Sequence, residues 1–400
     1  MKGPSATRCA VLGCGYIADY YMATQVYHPA LEIVACHDAN ESRQHRFAAD
    51  YGLRTYRSFD ELLADPTIDL VLNLTNPRAH FATTRACLES GKHVYSEKPL
   101  AMTSVDAAEL AALAAEHQRG LSAAPCSLLS PSAQTLWKSV RDGRAGVVRL
   151  VYGEFEDGMV HRHAYRRWRN RAGTPWPAKD EFEVGCTFEH ASYVLSWLAA
   201  IFGPVREVTA FASCRVPDKG IPVGEMAPDY TVGNLVYESG VVARVTCGLV
   251  AETDKSIRIF GDEGTLSVDF VRNDVEPVTF RPTEPRRRLA AALRLAGQAF
   301  RKVERATRLP RRMLPPTWHR RLPYAVRPSF RASGRNKPVD FLRGPADLAD
   351  AIRTGRPPRL SAELGVHLIE IIETLQHPER FDRPRQLSTG FEPIEPMEWH

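Results

Sequence analysis

The feature that most constrains this chain is a glycine turn near its start. Gly13-Cys14-Gly15-Tyr16-Ile17-Ala18 has the form Gly-x-Gly-x-x-Ala, and it lies between an apolar strand at Cys9–Gly13 and a helix at Ile17–Val26. Two glycines allow a tight turn whose backbone amides can approach a pyrophosphate, and Ala18 lets the helix pack close to the sheet. The residues that we expect at a bound dinucleotide are Gly13, Gly15, Tyr16 and Ile17.

An acid follows the second predicted strand, Glu32–His37. Asp38 lies 23 residues after Gly15, the spacing at which a carboxylate pairs with the ribose hydroxyls of NAD. The same carboxylate would repel the 2′-phosphate of NADP. NAD is therefore the predicted cofactor, and the nearby Arg43 leaves NADP open.

The order of predicted elements indicates two domains. Strands and helices alternate through the first 125 residues, which predicts a doubly wound parallel sheet. After Ser130 the pattern changes to alternating strands, and turn signals at Glu238-Ser239-Gly240 and Gly261-Asp262-Glu263-Gly264 predict hairpins in a mostly antiparallel sheet. We place the domains at 1–127 and 128–400. The helices predicted in the second part are Ser132–Arg141, Thr187–Phe202, Pro338–Thr354 and Ala362–Gln376.

A lysine follows the short predicted strand His93–Tyr95. Lys98 stands in Ser96-Glu97-Lys98-Pro99, at the carboxyl end of a strand in a nucleotide-binding sheet. There it would lie beside a nicotinamide and a substrate hydroxyl. Because burial readily lowers the pKa of lysine, we expect Lys98 to exchange a proton with an alcohol near neutral pH.

These features together resemble the glucose–fructose oxidoreductase/inositol dehydrogenase (Gfo/Idh/MocA) family. The matching stretches are Val11–Ala18, Leu74–His80, Tyr95–Leu100, Gly261–Leu266 and Asp340–Pro357. The resemblance implies an α/β protein with an N-terminal Rossmann domain and a C-terminal α+β domain, whose open, mostly antiparallel sheet often forms a dimer interface. It also implies NAD(P)-dependent chemistry on sugars or cyclitols, a cis Lys98–Pro99 bond, and a homodimer or homotetramer. The cofactor contacts that it implies here are Thr75, Asn76, His80, Glu97 and Lys98.

One stretch departs from the family pattern. The family's catalytic helix carries a histidine with one aspartate four residues before it and another three residues after it. His190 takes the histidine position here, but Cys186 and Tyr193 replace the two acids. Positions 186, 190, 193 and 197 share one helix face, so we expect them to line one pocket wall. The predicted catalytic residues are Lys98, His190 and Tyr193.

Substrate contacts are predicted from residue type in the loop between the two halves of the second domain. Tryptophan stacks on sugar rings, and arginine binds carboxylates in a bidentate manner. Such residues also serve as structural anchors, and that reading stays open. The predicted substrate residues are Trp168, Arg169, Trp176 and Glu189. His37, His161 and His163 form no convincing metal set, and no metal is predicted.

Charge is concentrated in one segment. Residues 281–337 carry 17 Lys and Arg against two acids, a net +15, whereas the rest of the chain carries −10 and the whole chain +5. Leu289, Leu293, Ala296, Phe300 and Val303 follow helical spacing beside arginines and lysines, which predicts a basic amphipathic helix. We expect it to pack on the acidic body or on a neighbouring subunit. Contact of residues 286–308 with a membrane surface is the alternative, and nucleic-acid binding is not predicted.

The sequence thus favours an NAD(P)-dependent dehydrogenase or reductase acting on a secondary alcohol of a sugar, glycoside or cyclitol. Eight scattered cysteines without a Cys-x-x-Cys pair, and a start that runs directly into a strand, favour a cytoplasmic protein. Two alternatives stay open. One is a redox-neutral enzyme that uses tightly held NAD transiently for epimerisation or elimination, and the other is a silent nucleotide-binding regulator with a basic arm.

Overall fold

The computed structural model describes residues 6–283, 320–329 and 339–400. The basic amphipathic helix predicted around residues 289–303 lies outside the described residues. Within the described ranges, none of the helices has the length and apolar character needed to cross a bilayer.

The first sheet has six parallel strands in the order β3-β2-β1-β4-β5-β6. Its strands are β1 (Thr7–Leu12), β2 (Leu31–His37), β3 (Arg54–Thr55), β4 (Leu70–Asn73), β5 (His93–Ser96) and β6 (Leu121–Ala123). The connecting helices are α1 (Ala18–Met22), α2 (Glu41–Tyr51), α3 (Phe59–Ala64), α4 (His80–Glu89) and α5 (Ser104–Glu116). The doubly wound parallel sheet that the sequence predicts is confirmed.

The parallel arrangement determines where the polar loop residues lie. Helices cover the sheet, so the apolar side chains of β1 and β4 are buried and these strands read as continuous hydrophobic runs. All the strands run in one direction, so their carboxyl ends meet at one edge. The glycine turn follows β1, Asp38 follows β2, Thr75 follows β4 and Lys98 follows β5 at that edge.

The second sheet has nine strands in the order β14-β13-β12-β11-β7-β10-β9-β8-β15. Neighbouring strands are antiparallel except β7 and β10, which are parallel. Both predicted hairpins, β9–β10 and β11–β12, are present. The strands are β7 (Val148–Glu156), β8 (Val205–Ser213), β9 (Tyr230–Tyr237), β10 (Val242–Gly248), β11 (Ile257–Gly261), β12 (Gly264–Val268), β13 (Thr279–Pro282), β14 (Arg320–Arg321) and β15 (Arg385–Gln386).

Four helices stand between β6 and β8: α6 (Pro131–Arg141), α7 (Ala178–Val184), α8 (Cys186–His190) and α9 (Ser192–Phe202). The sequence predicts α8 and α9 as one helix, whereas the structure divides them at Ala191. The backbone of Ala191 keeps helical dihedral angles, with φ −59° and ψ −31°, so the division is a local interruption. Helix α7 was not predicted.

The two closing helices, Arg343–Thr354 and Ala362–Gln376, pack on the first domain. Gly344 lies against the ring of Tyr95 in β5 so closely that a Cβ atom would have no room. The long helix Ala362–Gln376 also contacts α5 and β6. Residues near the end of the chain therefore cover the sheet built at its start, and the boundary at 127/128 stays a prediction.

A buried ionic network links these closing helices to the turn after β12. The Arg343 guanidinium donates to Asp274 at 2.8 Å and lies 3.5 Å from Asp340. Asp340 in turn lies 2.8 Å from the His28 ring of the first domain. Breaking a buried ion pair by removing one partner leaves a charge without compensation. This network therefore holds the turn around Asp274 in place.

Replacing the buried arginine of this network should destabilise the protein. We expect Arg343→Leu to lower the free energy of unfolding by about 3 kcal/mol, because Asp274 then loses its charged partner. The matched control is Arg353→Leu on the same helix, where the ion pair with Asp350 is exposed and the loss should stay below about 1 kcal/mol. Urea unfolding measures both. Equal losses for the two variants would contradict the role given to the network.

Candidate active site

A cavity of about 820 Å³ lies between the carboxyl edge of the first sheet and the second domain. It brings together most of the residues predicted from the sequence. Those that line it are Gly13, Gly15, Tyr16, Ile17, Asp38, Thr75, Asn76, Glu97, Lys98, Trp168, Trp176, Glu189, His190 and Tyr193. One connected space therefore runs from the glycine turn to the predicted catalytic helix.

Two predicted residues do not line the cavity. The His80 ring is buried between the carbonyls of Pro99 and Thr75, at 2.6 Å and 3.0 Å. The ring ties together the two loops that carry Thr75 and Lys98, and its expected contact with the cofactor stays a prediction. Arg169 instead donates to the carbonyls of Arg166 and Trp168. Local backbone acceptors thus hold the Arg169 guanidinium away from the cavity.

The glycine turn fits a dinucleotide. Gly13 has φ +95°, and a Cβ atom there would lie 2.7 Å from the Leu74 carbonyl oxygen, so only glycine fits. A Cβ atom on Gly15 would meet no atom within 4 Å, which leaves its backbone open to the cavity. The amides of Gly15, Tyr16 and Ile17 donate no hydrogen bond to any described residue. These residues could hold a pyrophosphate on their backbone N–H groups.

Asp38 is held by donors on both carboxylate oxygens. It accepts from the Cys14 and Asn40 amides, at 2.8 Å and 2.7 Å, and from the Arg43 guanidinium at 2.8 Å and 2.7 Å. Burial opposes its ionisation, but these hydrogen bonds outweigh burial and keep the pKa of Asp38 below its ordinary value. The carboxylate predicted to meet the ribose is therefore ionised and fixed, with Arg43 beside it.

A strap formed by residues 169–175 crosses from the second domain to the glycine turn. The Asn170 amide donates to the Tyr16 carbonyl at 3.1 Å, and the Ala172 amide donates to Asp19 at 2.9 Å. Arg46 donates to the Thr174 hydroxyl at 3.2 Å. Thr174 itself lines the cavity. The strap thus forms one wall of the nucleotide end and is fastened to the first domain.

The Lys98 ammonium forms an ion pair with Glu189 of α8, and both side chains are largely buried. Burial is the largest influence and would lower the pKa of Lys98, but Glu189 together with Tyr193, Glu97 and Glu181 outweighs burial and raises the pKa above the ordinary value. The expectation of a lowered pKa is therefore wrong: Lys98 is a protonated amine at neutral pH. The Lys98–Pro99 bond is cis, as the resemblance implies.

His190 is packed between two acids and an aromatic ring. Its Nδ1 lies 3.1 Å from Asp157 and its Nε2 lies 3.2 Å from Glu181. The ring stacks on Phe155 with centroids 5.0 Å apart. Burial, with the nearby cation Lys98, outweighs the attraction of Asp157 and lowers the pKa of His190 to about 3. His190 is therefore a neutral imidazole at neutral pH.

The two acids beside His190 differ in protonation. Burial and repulsion from Glu189 raise the pKa of Glu181 well above its ordinary value, so Glu181 is protonated. Burial also opposes ionisation of Asp157, but surrounding cations, Lys255 among them, hold its pKa well below the ordinary value. The acids beside His190 thus come from α7 and from the end of β7. The family pattern would instead place aspartates on the same helix as the histidine.

Only half of the predicted helix face reaches the cavity. Tyr193 lines it, and its ring stacks on Phe155 with centroids 5.4 Å apart. Burial raises the pKa of Tyr193, which keeps it a neutral phenol. Cys186 and Trp197 are fully buried away from the cavity. The Cys186 carbonyl accepts from the Cys247 thiol, and the Trp197 indole N–H donates to the Ser127 hydroxyl. The expectation that positions 186 and 197 line the cavity wall is wrong, because both side chains are packed in the hydrophobic core.

Three charged residues of the site were not predicted. Asp157 follows β7, Arg272 follows β12, and Lys255 precedes β11, where it pairs with Asp157. Each is a polar residue next to the end of an apolar run of the second sheet, which is the signal that could have found them. No local pattern shows that the end of β7 meets the β11–β12 hairpin, because β7 is far from that hairpin in the sequence.

Among the residues that the structure describes, no group of three or more His, Cys, Asp or Glu side chains is arranged to hold a metal ion. The absence of a metal stays a prediction.

Comparison with known protein families identifies the family of this chain. Residues 7–124 match the oxidoreductase family with an NAD-binding Rossmann fold, GFO/IDH/MocA. Residues 133–267 match the GFO/IDH/MocA C-terminal domain, and the two matches together cover more than half of the chain. The chain belongs to this family. The predictions of the family, of the α/β fold, of an NAD-binding domain and of an oxidoreductase are confirmed.

Individual relatives are distant. The chain is 24% identical to bovine trans-1,2-dihydrobenzene-1,2-diol dehydrogenase over 262 residues, 65% of this chain and 73% of the relative. It is 26% identical to the NADP-dependent scyllo-inositol 2-dehydrogenase of Bacillus subtilis over 199 residues, 48% and 53% of the two chains. A solved aldose-aldose oxidoreductase from Caulobacter crescentus superposes with a TM-score of 0.71 at 20% identity, covering 96% of this chain and 100% of the other. At this level of identity, the structural similarity shows that the two proteins share a fold.

Loosening the strap should speed the loss of bound NADH. We expect Asn170→Ala to raise the dissociation rate roughly three- to tenfold, the effect of losing one hydrogen bond that fastens the strap to the glycine turn. Stopped-flow fluorescence of NADH measures the rate. The control is Asn234→Ala, an exposed amide on β9, which should leave the rate unchanged. Equal rates for Asn170→Ala and the parent protein would show that the strap does not retain the cofactor.

Proposed function

We propose that this protein is an NAD(P)-dependent dehydrogenase or reductase acting on a secondary alcohol of a sugar, glycoside or cyclitol. The observation that supports this best is the Lys98–Glu189 ion pair, which lines the same cavity as the glycine turn, His190 and Tyr193. Bound NAD would accept or supply the hydride. The residues around Lys98 would bind the substrate and move its proton.

The protonation states suggest how the proton moves. In the reductive direction the Lys98 ammonium donates a proton to the oxygen of the substrate carbonyl. In the oxidative direction Lys98 first releases its proton to solvent, and its free amine then accepts the hydroxyl proton. The restored positive charge stabilises the developing alkoxide. The Tyr193 phenol would offer a hydrogen bond to the same oxygen, and His190 lines the cavity beside it.

The walls of the cavity suit a ring-shaped polyol. Trp168 and Trp176 contact each other edge to face, with centroids 5.1 Å apart, and both line the space. Indole faces stack on the apolar faces of sugar rings. Relatives named as a dihydrodiol dehydrogenase and an inositol dehydrogenase act on hydroxyls of carbocyclic rings, which supports this substrate class.

Asp38 supports NAD as the cofactor, because a carboxylate there can bind the ribose hydroxyls. Its partner Arg43 leaves NADP as an alternative, because an arginine near the ribose can bind a 2′-phosphate. The B. subtilis relative is named for NADP. NAD as the preferred cofactor is accordingly part of the proposal.

Removing the amine should abolish most of the activity. We expect Lys98→Met to lower kcat/KM roughly 100- to 10,000-fold, the usual contribution of a positioned proton donor, as followed by NADH absorbance with a panel of sugars and cyclitols. The control is Lys138→Met, which removes an exposed lysine paired with Asp142 and should leave kcat/KM unchanged. Full activity of Lys98→Met would overturn the assignment.

A redox-neutral reaction is the second candidate, and the fastened strap favours it because that wall would slow the exchange of cofactor. It requires that NAD stay bound through purification and that an epimerised or dehydrated product form without net NADH. The same assay with product analysis separates it from a dehydrogenase.

Location and assembly complete the proposal. The eight cysteines are free thiols and seven are buried, which supports a reducing, cytoplasmic compartment. Membership of the family supports a homodimer or homotetramer formed through the second sheet. Molar mass in solution tests the assembly.

A further inference from the structure

The cations that line the cavity are not equally compensated. Lys98 pairs with Glu189, and Arg43 pairs with Asp38. Arg272 also lines the cavity, but it forms no ion pair and donates no hydrogen bond within the described part of the chain. A guanidinium that faces a cavity without a carboxylate partner is a ready site for an anion.

The backbone around Arg272 is fixed on both sides. Val271 donates its amide to the Lys255 carbonyl at 2.8 Å. Asp274 accepts from the buried Arg343 guanidinium at 2.8 Å and from the Asp340 amide at 2.9 Å. The turn that carries Arg272 is therefore anchored to β11 on one side and to the closing helices on the other. An anion bound there would meet a preorganised partner.

Arg272 stands at the catalytic end of the cavity. Its Cζ atom lies 5.1 Å from the centroid of the Tyr193 ring, a cation–π contact that leaves the guanidinium edge available for hydrogen bonds. Arg272 and Lys98 both act to lower the pKa of Tyr193, and both also disfavour protonation of His190. The two cations thus flank the same two side chains. Both cations line the same cavity, so a substrate that reaches Lys98 can also meet Arg272.

We propose that Arg272 binds a carboxylate of the substrate, so that the preferred substrates are sugar acids rather than neutral sugars. This inference rests on the proposed function and narrows its substrate class. The planar guanidinium matches a carboxylate in a bidentate pair. The neutral partners Tyr193 and His190 do not compete with that anion, and the ionised acid nearby, Asp157, is already paired with Lys255.

The wild-type protein gives the first test. kcat/KM is measured by NADH formation for D-glucuronate against D-glucose and for D-galacturonate against D-galactose, with the matching ketone reductions followed by NADH loss. We expect the acid of at least one pair to be preferred roughly tenfold or more, the usual value of one charge-assisted hydrogen bond. Preference for the neutral member of each pair would overturn the inference and leave the proposed function standing. Failure of all four compounds, with turnover of a neutral member of the wider panel of sugars and cyclitols, would overturn the inference alone, and failure of the whole panel in both directions would overturn both.

Variants then locate the preference. Arg272→Gln should raise KM for the acid roughly 10- to 100-fold with little change for the neutral sugar. Arg272→Lys, which keeps the charge without the bidentate fork, should fall between them. Arg353→Leu serves as the control, because that arginine is exposed and distant from the cavity. NADH affinity is measured by fluorescence on each variant.

Two outcomes would contradict the role of Arg272. An equal loss for acid and neutral sugars would assign it a structural role. Weaker NADH binding with an unchanged ratio of acid to neutral kcat/KM would assign the anion to the cofactor phosphates.

Discussion

The ion pair between Lys98 and Glu189 is the interaction on which the rest of the site depends. It joins the loop after β5 of the first domain to α8 of the second, across the cavity that both domains line. Because both side chains are largely shielded from water, neither charge is stable without the other. The pair therefore sets the charge of Lys98 and the relative placement of the nucleotide end and the catalytic helix.

Around this pair the remaining charges are arranged in compensated groups. Asp157 pairs with Lys255, and His190 stays neutral beside a protonated Glu181. Arg272 also lines the cavity, contacts the Tyr193 ring and forms no ion pair among the described residues. The site therefore combines a buried ammonium group, neutral side chains that can form hydrogen bonds, and a guanidinium that we propose binds an anion. A polyol that carries a carboxylate matches that combination.

The sequence predicts the nucleotide half well because its signals are local. The glycine turn, Asp38 and Lys98 each follow a strand of one parallel sheet, and parallel strands bring their carboxyl ends together without further information. The substrate half depends on contacts that no local pattern carries. Glu189, which reverses the direction of the Lys98 pKa shift, is 91 residues away in the chain. Asp157, Lys255 and Arg272 meet only because β7, β11 and β12 are neighbours in the second sheet. The burial of Cys186 and Trp197 likewise depends on distant partners, Cys247 and Ser127.

The most direct test of the account is the pH dependence of carbonyl reduction by the Glu189→Gln variant. If the Lys98 ammonium donates the proton as proposed, kcat/KM for reduction falls as the pH rises through its pKa. Glu189 raises that pKa, and its removal should move the alkaline fall to lower pH by about one unit or more. A matched control, Glu379→Gln, removes an exposed acid outside the cavity and should leave the profile unchanged. An alkaline limb at the same pH in Glu189→Gln and in the parent protein would contradict the account.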